Sequence, residues 1–279
     1  LPEVIYAGQT GAGIVEANLE SQYTVFYRDN EALTGLDRAN GQRFRARPEL
    51  ALPMRALWGF SRPSVSVDYT RYTLDDYVLG DGSFDRTVPV AEWDNGLYFD
   101  RQSRLFDVPY NQTLEPRLYY AWADADPDQN DIPDFDTDLQ TFRFEQLFRP
   151  DRFTGGDRVG DANQLTVALT SRFNDLLTGA ERARFSIGQV QYFEDREVTL
   201  FGEGAGTRSR SPLAGEVVLN PLDTLEIRSS GLWDPDTGDT EEGRSQLTFH
   251  STDYRYLASV GHTYSRISRR FSRSRTVLV

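Results

Sequence analysis

Polar and apolar residues alternate along two stretches near the middle of the chain, residues 113–122 and 164–173. One face of these stretches carries the apolar side chains of Leu114, Pro116, Leu118, Tyr120, Trp122, Leu165, Val167, Leu169 and Phe173. The other face carries Thr113, Glu115, Arg117, Tyr119, Gln164, Thr166, Thr170 and Arg172. A period of two over about ten residues is typical of a β-strand with one apolar and one polar face. A tilted strand of this length can cross the hydrocarbon core of a bilayer.

A long polar loop, residues 123–160, is predicted between the two alternating stretches. Its aspartates are Asp124, Asp126, Asp128, Asp131, Asp134, Asp136 and Asp138. Two membrane-length strands joined by a long polar loop form the repeating unit of an outer-membrane β-barrel. The sequence therefore predicts an all-β fold, a large antiparallel transmembrane β-barrel with long polar extracellular loops.

Three arginines alternate with other residues on another predicted strand, residues 43–54, and they share one face of it. An arginine at the bilayer midplane costs about 2–4 kcal/mol, so this face is expected to meet a hydrated lumen. The residues predicted to face the lumen are Arg43, Arg45, Arg47, Glu115, Arg117, Gln164, Thr166 and Arg172. The residues predicted to face lipid are Leu114, Leu118, Tyr120, Trp122, Leu165, Val167 and Leu169.

Predicted connections alternate between short turns, near residues 220–223 and 252–253, and long loops at 29–41, 123–160 and 234–243. Transmembrane barrels have short turns on one side of the membrane and long loops on the other. The strongest helix signal, Leu139 to Phe148, is short and lies inside the longest loop. This asymmetry favours a barrel over a soluble β-sandwich.

Composition and net charge exclude some classes of function but do not identify one. The chain has 279 residues, a net charge of −13 and no cysteine. With no basic stripe to neutralise phosphates, nucleic acid is excluded as a partner. All 30 basic residues are arginine, which reflects either the base composition of the genome or selection for bidentate contacts with phosphate and carboxylate groups. The sequence contains no run of eighteen apolar residues, so no transmembrane helix is predicted.

Candidate chemistry is sparse. Asp126, Asp128 and Asn130 have the alternate spacing of a calcium loop, but Asp131 stands where glycine is expected and no glutamate closes the pattern. Calcium binding by the acidic loop is therefore left open. His250 and His262 have no neighbouring ligands in the sequence. We predict no catalytic residues, no metal site and no cofactor, hence no enzyme.

An ordered series of phrases resembles a known family. The phrases are QTLEPRLYYAW at 112–122, GGDRVGDANQLTVALTSRF at 155–173 and FSIGQVQYF at 185–193, supported by GLYFDR at 96–101 and WDPDTG at 233–238. Together they resemble the C-terminal barrel of the lipopolysaccharide-assembly outer-membrane protein family, LptD, also called organic solvent tolerance protein. The resemblance covers roughly residues 20–265 and depends on the order of several phrases rather than on one motif.

The resemblance implies a barrel in the outer membrane of a Gram-negative bacterium, in contact with outer-membrane lipids. Such a barrel receives lipopolysaccharide from a periplasmic bridge of the LptA type and passes it through the lumen and a lateral opening. Its lumen holds an LptE-like lipoprotein plug. Residues 1–279 are then expected to be one partial barrel domain, without the periplasmic jellyroll and the barrel ends. The alternatives are a general diffusion porin and a secreted β-rich enzyme acting on polysaccharide.

Overall fold

A computed structural model of the chain describes residues 2–28, 33–105, 108–200, 203–268 and 271–278. Fifteen strands account for most of them: β1 Glu3–Ala12, β2 Val15–Phe26, β3 Asn40–Ala51, β4 Met54–Ala56, β5 Gly59–Asp75, β6 Ser83–Leu97, β7 Phe99–Leu105, β8 Val108–Ala123, β9 Ala162–Asp175, β10 Glu181–Tyr192, β11 Leu213–Leu222, β12 Leu225–Asp234, β13 Asp239–His250, β14 Leu257–Ser268 and β15 Phe271–Leu278. Three short 3-10 helices cover Gly35–Arg38, Pro127–Asp131 and Phe144–Phe148.

The strands form one antiparallel sheet in which neighbours in sequence are neighbours in space. Two strands are each interrupted once. β4 extends β3 along β5, and β7 extends β6 along β8. The all-β prediction is confirmed, and a continuous antiparallel meander is the arrangement expected of a segment of barrel wall. In the part of the chain that the structure describes, no helix is long and apolar enough to cross a membrane.

The longest connections all lie at the same end of the strands. Residues 27–39, 76–82, 124–161 and 193–212, together with the short turn 235–238, connect strands at this end, which we call the long-loop edge. Residues 13–14, 57–58, 176–180, 223–224 and 251–256 connect strands at the other, the short-turn edge. The loop predicted at 29–41 includes residues 29–32, which lie outside the described residues.

One sequence prediction about connections is wrong. The predicted long loop at 234–243 is a turn of residues 235–238, closed by Gly238 at a φ of 74°. Residues 193–212, for which no loop was predicted, form a long connection. Another prediction is only partly right, because the helical signal at 139–148 yields just the 3-10 helix at its end.

Burial alternates along the strands, as the sequence pattern requires. In β5, Ser64, Ser66, Asp68, Thr70 and Tyr72 are buried, whereas Val65 and Val67 between them are exposed. The buried side chains lie on the face of the sheet that the connection 124–161 covers. The core of the molecule therefore lies between this connection and the sheet, and the large apolar residues of the other face are left uncovered.

Candidate functional site

Residues 124–161 fold back over one face of the sheet, and we call this segment the inward loop. The face that it covers is the polar face, with members such as Asp68 and Thr166. The opposite, apolar face includes Val65, Val167 and Leu169. Because the inward loop is long and polar, it can remain on the sheet only if its buried polar groups find partners there. Those partners define the candidate site.

Asp157 lies fully buried at the centre of the contact between the inward loop and the sheet. Its Oδ1 accepts hydrogen bonds from Arg43 Nη1 at 2.7 Å and from the Tyr72 hydroxyl at 3.1 Å. Its Oδ2 accepts hydrogen bonds from the backbone N–H groups of Phe135 at 2.8 Å and Asp136 at 3.0 Å. One carboxylate thus joins two strands to both arms of the inward loop.

Arg43, on β3, is fully buried and binds two carboxylates. Besides its contact with Asp157, it donates to both oxygens of Asp136, at 2.8 and 2.6 Å. Its guanidinium also lies 5.0 Å from the centroid of the Phe26 ring, which itself stacks on Phe135. Bidentate pairs of this kind are strong and directional, and removing one partner leaves an uncompensated buried charge.

A second layer of ion pairs lies beside the first. Arg86 donates to Asp68 Oδ1 at 3.1 Å and to the backbone carbonyl of Asp157 at 2.8 Å. Arg45 donates to Asp68 Oδ2 at 2.5 Å and to the carbonyl of Gly155 at 2.8 Å. Two arginines that share one carboxylate on the sheet therefore also hold the backbone of the inward loop.

The carboxyl groups of the inward loop differ in acidity. Burial by itself would raise the pKa of Asp136, but the hydrogen bonds and charge of Arg43 outweigh it and hold that pKa below its usual value. At Asp157 burial dominates and raises the pKa, although Arg43 opposes it. Burial also raises the pKa of Asp151, which accepts backbone hydrogen bonds from Phe153 and Gly160. Among these three carboxyl groups, ionised Asp136 therefore contributes most directly to holding the inward loop on the sheet.

The inward loop also anchors the second long connection, residues 193–212. Arg158, fully buried, donates to the carbonyls of Ile132 at 2.6 Å and Thr199 at 3.1 Å. Asp161 accepts hydrogen bonds from the backbone N–H of Glu197 at 2.7 Å and of Val198 at 3.1 Å. The inward loop and residues 193–212 are consequently held over the polar face as one unit.

An apolar contact fixes the middle of the inward loop. Leu147, in the 3-10 helix Phe144–Phe148, is fully buried against Val190, Ala214 and Leu232. It lies over Gly188, where a Cβ would be only 2.7 Å from Leu147 Cδ1, so only glycine fits without rearrangement. Thr166 donates to the Leu147 carbonyl at 2.5 Å. The Arg117 guanidinium lies 3.7 Å from the centroid of the Phe148 ring.

A cavity of about 440 Å³ remains on the sheet beyond this contact, between the inward loop and strands β11–β14. Its charged lining residues are Arg143, Glu145, Glu216, Glu226, Arg228, Glu242 and Arg244. Unlike the junction around Asp157, this cavity keeps its charged groups near solvent. The polar face is therefore packed by the chain's own loops in one part and open in another.

Nearly all of the chain matches a family model. Residues 1–277 fit the model described as LptD, LPS transport system D. The chain belongs to the LptD family. The resemblance noted from the ordered phrases is thus confirmed.

Relatives in the LptD family agree with this assignment. An LPS-assembly protein LptD of Marinobacter nauticus is 82% identical over 266 residues, which are 95% of this chain and 34% of that protein. The Hahella chejuensis protein of the same name is 46% identical over 268 residues, which are 95% of this chain and 34% of that protein. The Pseudomonas aeruginosa protein of that name is 37% identical over 276 residues, which are 89% of this chain and 29% of that protein. The chain spans about a third of the length of the curated relatives it matches.

The polar residues for which the sequence predicted a lumen position all lie on the polar face. Those that contact the inward loop are Arg43, Arg45, Arg117, Gln164 and Thr166. The other three, Arg47, Glu115 and Arg172, form ion pairs within the sheet. That this face lines a lumen stays a prediction.

The residues for which the sequence predicted lipid contact lie on the opposite, apolar face. Leu114, Leu118, Val167 and Leu169 are exposed there, and Tyr120, Trp122 and Leu165 are half-buried beside them. Val167, for example, keeps 53% of its surface accessible. Exposed apolar side chains in such number need a covering medium, but contact with lipid also stays a prediction.

Three aspartates of the acidic loop, Asp134, Asp136 and Asp138, bind arginines or backbone groups. Asp136 pairs with Arg43, and Asp134 pairs with Arg158 at 2.9 Å. Asp138 accepts a hydrogen bond from the backbone N–H of Leu139. Within the described residues, no three histidine or acidic side chains are grouped so that they could hold a metal ion.

Sequence reasoning missed several residues of this junction: Asp68, Tyr72, Arg86, Asp157, Arg158 and Asp161. Asp157, Arg158 and Asp161 belong to GGDRVGDA, which contributed to the resemblance without a role being assigned to them. A usable signal existed for Asp68 and Tyr72, because they alternate with Val65 and Val67 and thus share a face with serines and threonine.

Proposed function

We propose that this chain forms part of the wall of an outer-membrane β-barrel that assembles lipopolysaccharide in the outer leaflet of a Gram-negative bacterium. Lipopolysaccharide would arrive from a periplasmic bridge of the LptA type and pass through the lumen and a lateral opening. The observation that carries the proposal is the two-sided sheet, with an arginine-rich polar face under the inward loop and an uncovered apolar face. Membership of the LptD family supports the choice of lipopolysaccharide as the cargo.

The two faces suit a wall between lipid and water. A closed barrel pairs every backbone group, so strands can cross hydrocarbon without unsatisfied N–H and C=O groups. Ion pairs such as Arg172 with Glu115 belong on the hydrated side, because an arginine facing lipid is costly. Transport of this kind makes and breaks no covalent bond, so the proposal requires no catalytic residues.

The edges of the sheet supply an orientation. Outer-membrane barrels have short turns in the periplasm and long loops outside the cell. The long-loop edge would therefore face the exterior, and the inward loop would enter the lumen from outside. Held by Arg43 and Leu147, it would close this part of the lumen to free diffusion. A closed lumen favours regulated passage of a large molecule over the open pore of a general porin.

The open part of the polar face leaves room for a lumen partner. The cavity beside β11–β14 is lined by charged side chains, among them Arg228 and Arg244, that the inward loop does not cover. A surface of mixed charge suits a hydrated protein surface better than an acyl chain. We therefore place the LptE-like lipoprotein plug on this side of the wall.

The test compares two arginine substitutions on β9 of the full-length protein, in cells depleted of their own copy. Val167→Arg puts a charge on the apolar face and should cost about 2–4 kcal/mol if that face meets lipid. We expect loss of folded barrel in the membrane and of newly made lipopolysaccharide at the cell surface. Both are measured, the first by heat-modifiable gel mobility and the second by surface labelling.

Thr170→Arg is the matched control, because Thr170 lies on the polar face, is half-buried, and its hydroxyl donates to Ser186 Oγ within the sheet rather than to the inward loop. It should assemble and export nearly normally. Equal behaviour of the two variants would refute the assignment of the faces. If cells depleted of their own copy of the protein kept the same amount of newly made lipopolysaccharide at their surface, and the purified protein conducted ions, a diffusion porin would be favoured instead. Folding of Val167→Arg in aqueous buffer with an activity on polysaccharide would favour an enzyme.

A further inference from the structure

A small cavity of about 60 Å³ lies on the polar face, where β9 and β10 reach the long-loop edge. Gln164 and Tyr192 line it from the sheet, and they lie directly opposite each other in the register of the two strands. Arg149 lines it from the inward loop, and Arg196 lines it from the connection 193–212. Three separate segments of the chain therefore meet around one space.

Two of the arginines around this cavity have no carboxylate partner among the described residues. They are Arg149, which is exposed, and Arg196, which is half-buried and donates from Nη2 to the backbone carbonyl of Arg208 at 3.3 Å. The third, Arg152, pairs with Asp161 at 2.7 Å. Acidic residues outnumber basic ones in this chain by 43 to 30. The two unpaired guanidinium groups in one cavity therefore do not result from a shortage of carboxylates.

The guanidinium group of Arg196 is held in place before any ligand arrives. It lies 3.7 Å from the centroid of the Tyr192 ring. The backbone of Arg196 exchanges two hydrogen bonds of 2.9 Å with Gly206, and a Cβ at Gly206 would be only 2.7 Å from Arg196 Nε. A side chain fixed between a ring and a glycine loses little conformational freedom on binding. Its remaining N–H groups are available as preorganised donors.

The groups around the cavity are mainly hydrogen-bond donors: guanidinium, amide and hydroxyl. A carboxyl group, that of Asp151, also lines it, but its Oδ1 accepts the backbone N–H groups of Phe153 and Gly160. Asp151 borders a second, separate gap as well, beside Arg45 and Asp68. Guanidinium groups bind phosphate with paired hydrogen bonds. Donors that converge from three segments suit a tetrahedral phosphate better than a planar carboxylate.

We propose that this cavity binds one phosphate group of lipopolysaccharide, held between Arg149 and Arg196 with the Tyr192 hydroxyl as a further donor. The inference rests on the proposed function, because it takes the polar face as the lumen side and the long-loop edge as the outer end. The phosphates of lipopolysaccharide lie on its headgroup sugars. A site at this end of the lumen would therefore hold the headgroup close to the level of the outer leaflet.

The experiment measures equilibrium binding of two ligands to the purified full-length protein in detergent micelles. One ligand is fluorescently labelled lipopolysaccharide, and the other is the same preparation after its phosphates have been removed with hydrofluoric acid. Arg149→Gln and Arg196→Gln should each weaken binding of the intact ligand about tenfold, the loss expected for one charge-assisted hydrogen bond. Neither should change binding of the dephosphorylated ligand. Arg104→Gln is the matched control, because Arg104 is also exposed and lies near the short-turn edge, and it should change neither affinity.

Tyr192→Phe separates ligand contact from packing, because it keeps the ring beside Arg196 and removes only the hydroxyl. It should weaken binding of the intact ligand about threefold. Equal affinity of the unmodified protein for both ligands would overturn the site and leave the proposed transport standing. An equal loss for both ligands in the arginine variants would also overturn it, since the arginines would then only hold the loops.

Inorganic phosphate distinguishes the two sources of the bound group. It should displace intact lipopolysaccharide only at a concentration at least about a hundredfold higher, because it lacks the other contacts of the lipid. Displacement at equal concentration would assign the cavity to free phosphate and overturn the choice of ligand. Binding of neither lipopolysaccharide, together with unchanged surface lipopolysaccharide after depletion, would mean that the proposed function itself fails.

Discussion

Two regions of the polar face have the same kind of alternation between charged and other residues but differ in how their charged side chains are buried and paired. Under the inward loop, on β3 to β6, charged groups such as Arg43 and Asp68 are buried and paired. Beside β11–β14, charged groups such as Arg228 and Arg244 remain exposed around the 440 Å³ cavity. In both regions the charged residues alternate with apolar or small ones along their strands.

The difference shows that alternation along a strand determines on which face a side chain lies, whereas the loops determine whether that side chain is buried and paired or stays exposed. Arg43 is buried because Asp136 and Asp157, from the inward loop, reach it. Arg244 lies on the same face but no loop residue covers it among those described. The first region is completed by the chain itself, and under the proposed function the second is completed by a partner. Removing equivalent charges from the two regions should therefore have unequal effects.

The largest effect is expected from Arg43→Met. It removes a buried charge and leaves Asp136 and Asp157 without their common partner, which costs about 3–5 kcal/mol for a buried pair. Methionine fills much of the space, so the loss reports charge rather than volume. We expect a lower free energy of unfolding in detergent and urea, and faster protease cleavage within residues 124–161.

Arg244→Met in the open region is the matched control, and it should change the free energy of unfolding by no more than about 0.5 kcal/mol. Adding Asp157→Asn to Arg43→Met should recover part of the loss, since one of the stranded carboxylates is then neutral. Equal destabilisation by the two single substitutions would show that the two regions do not differ in the way their geometry implies.

Much of the sheet could be predicted from the sequence because a period of two translates directly into two faces. Val167 and Thr166 are assigned to opposite sides by position alone, and the structure places them so. Connections were predicted less well. Val198 in residues 193–212 resembles a strand residue, yet it is apolar because it is buried next to Asp161 of the inward loop.

The junction itself could not be predicted, because its contacts join residues far apart in the chain. Arg43 and Asp157 are separated by 114 positions, and nothing local to either residue indicates the other. The acidic loop looked like a solvated segment or a calcium site because aspartates are common in both. What distinguishes Asp136 is an arginine on β3, which the sequence placed on the correct face without a partner.

A somewhat smaller effect is expected from the apolar contact of Leu147 in the middle of the inward loop. Leu147→Ala should lower the free energy of unfolding by about 2–5 kcal/mol, as is usual for a buried leucine. Val190 and Leu232 would lose their shared contact, so residues 142–149 should exchange amide hydrogen faster. Leu177→Ala is the control, because Leu177 is 89% exposed in a turn at the short-turn edge. Unchanged exchange at 142–149 would mean that Leu147 does not hold the loop.

The smallest effect is expected from acid. The pKa of Asp136 is lower in the folded protein than in the unfolded chain, because Arg43 stabilises the ionised form more than burial opposes it. Its contribution to stability is therefore fully present above the unfolded value, about 3.9, and is lost as the pH falls through the folded pKa. Amide exchange in residues 133–138, corrected for its intrinsic pH dependence, should accelerate below about pH 4 in the native protein. Asp136→Asn should exchange faster at neutral pH and show a weaker acid response. The turn at residues 13–14, which contains no carboxyl group and lies at the short-turn edge, is the internal reference. An acid response of equal size there would remove the claim that ionised Asp136 holds the loop in place.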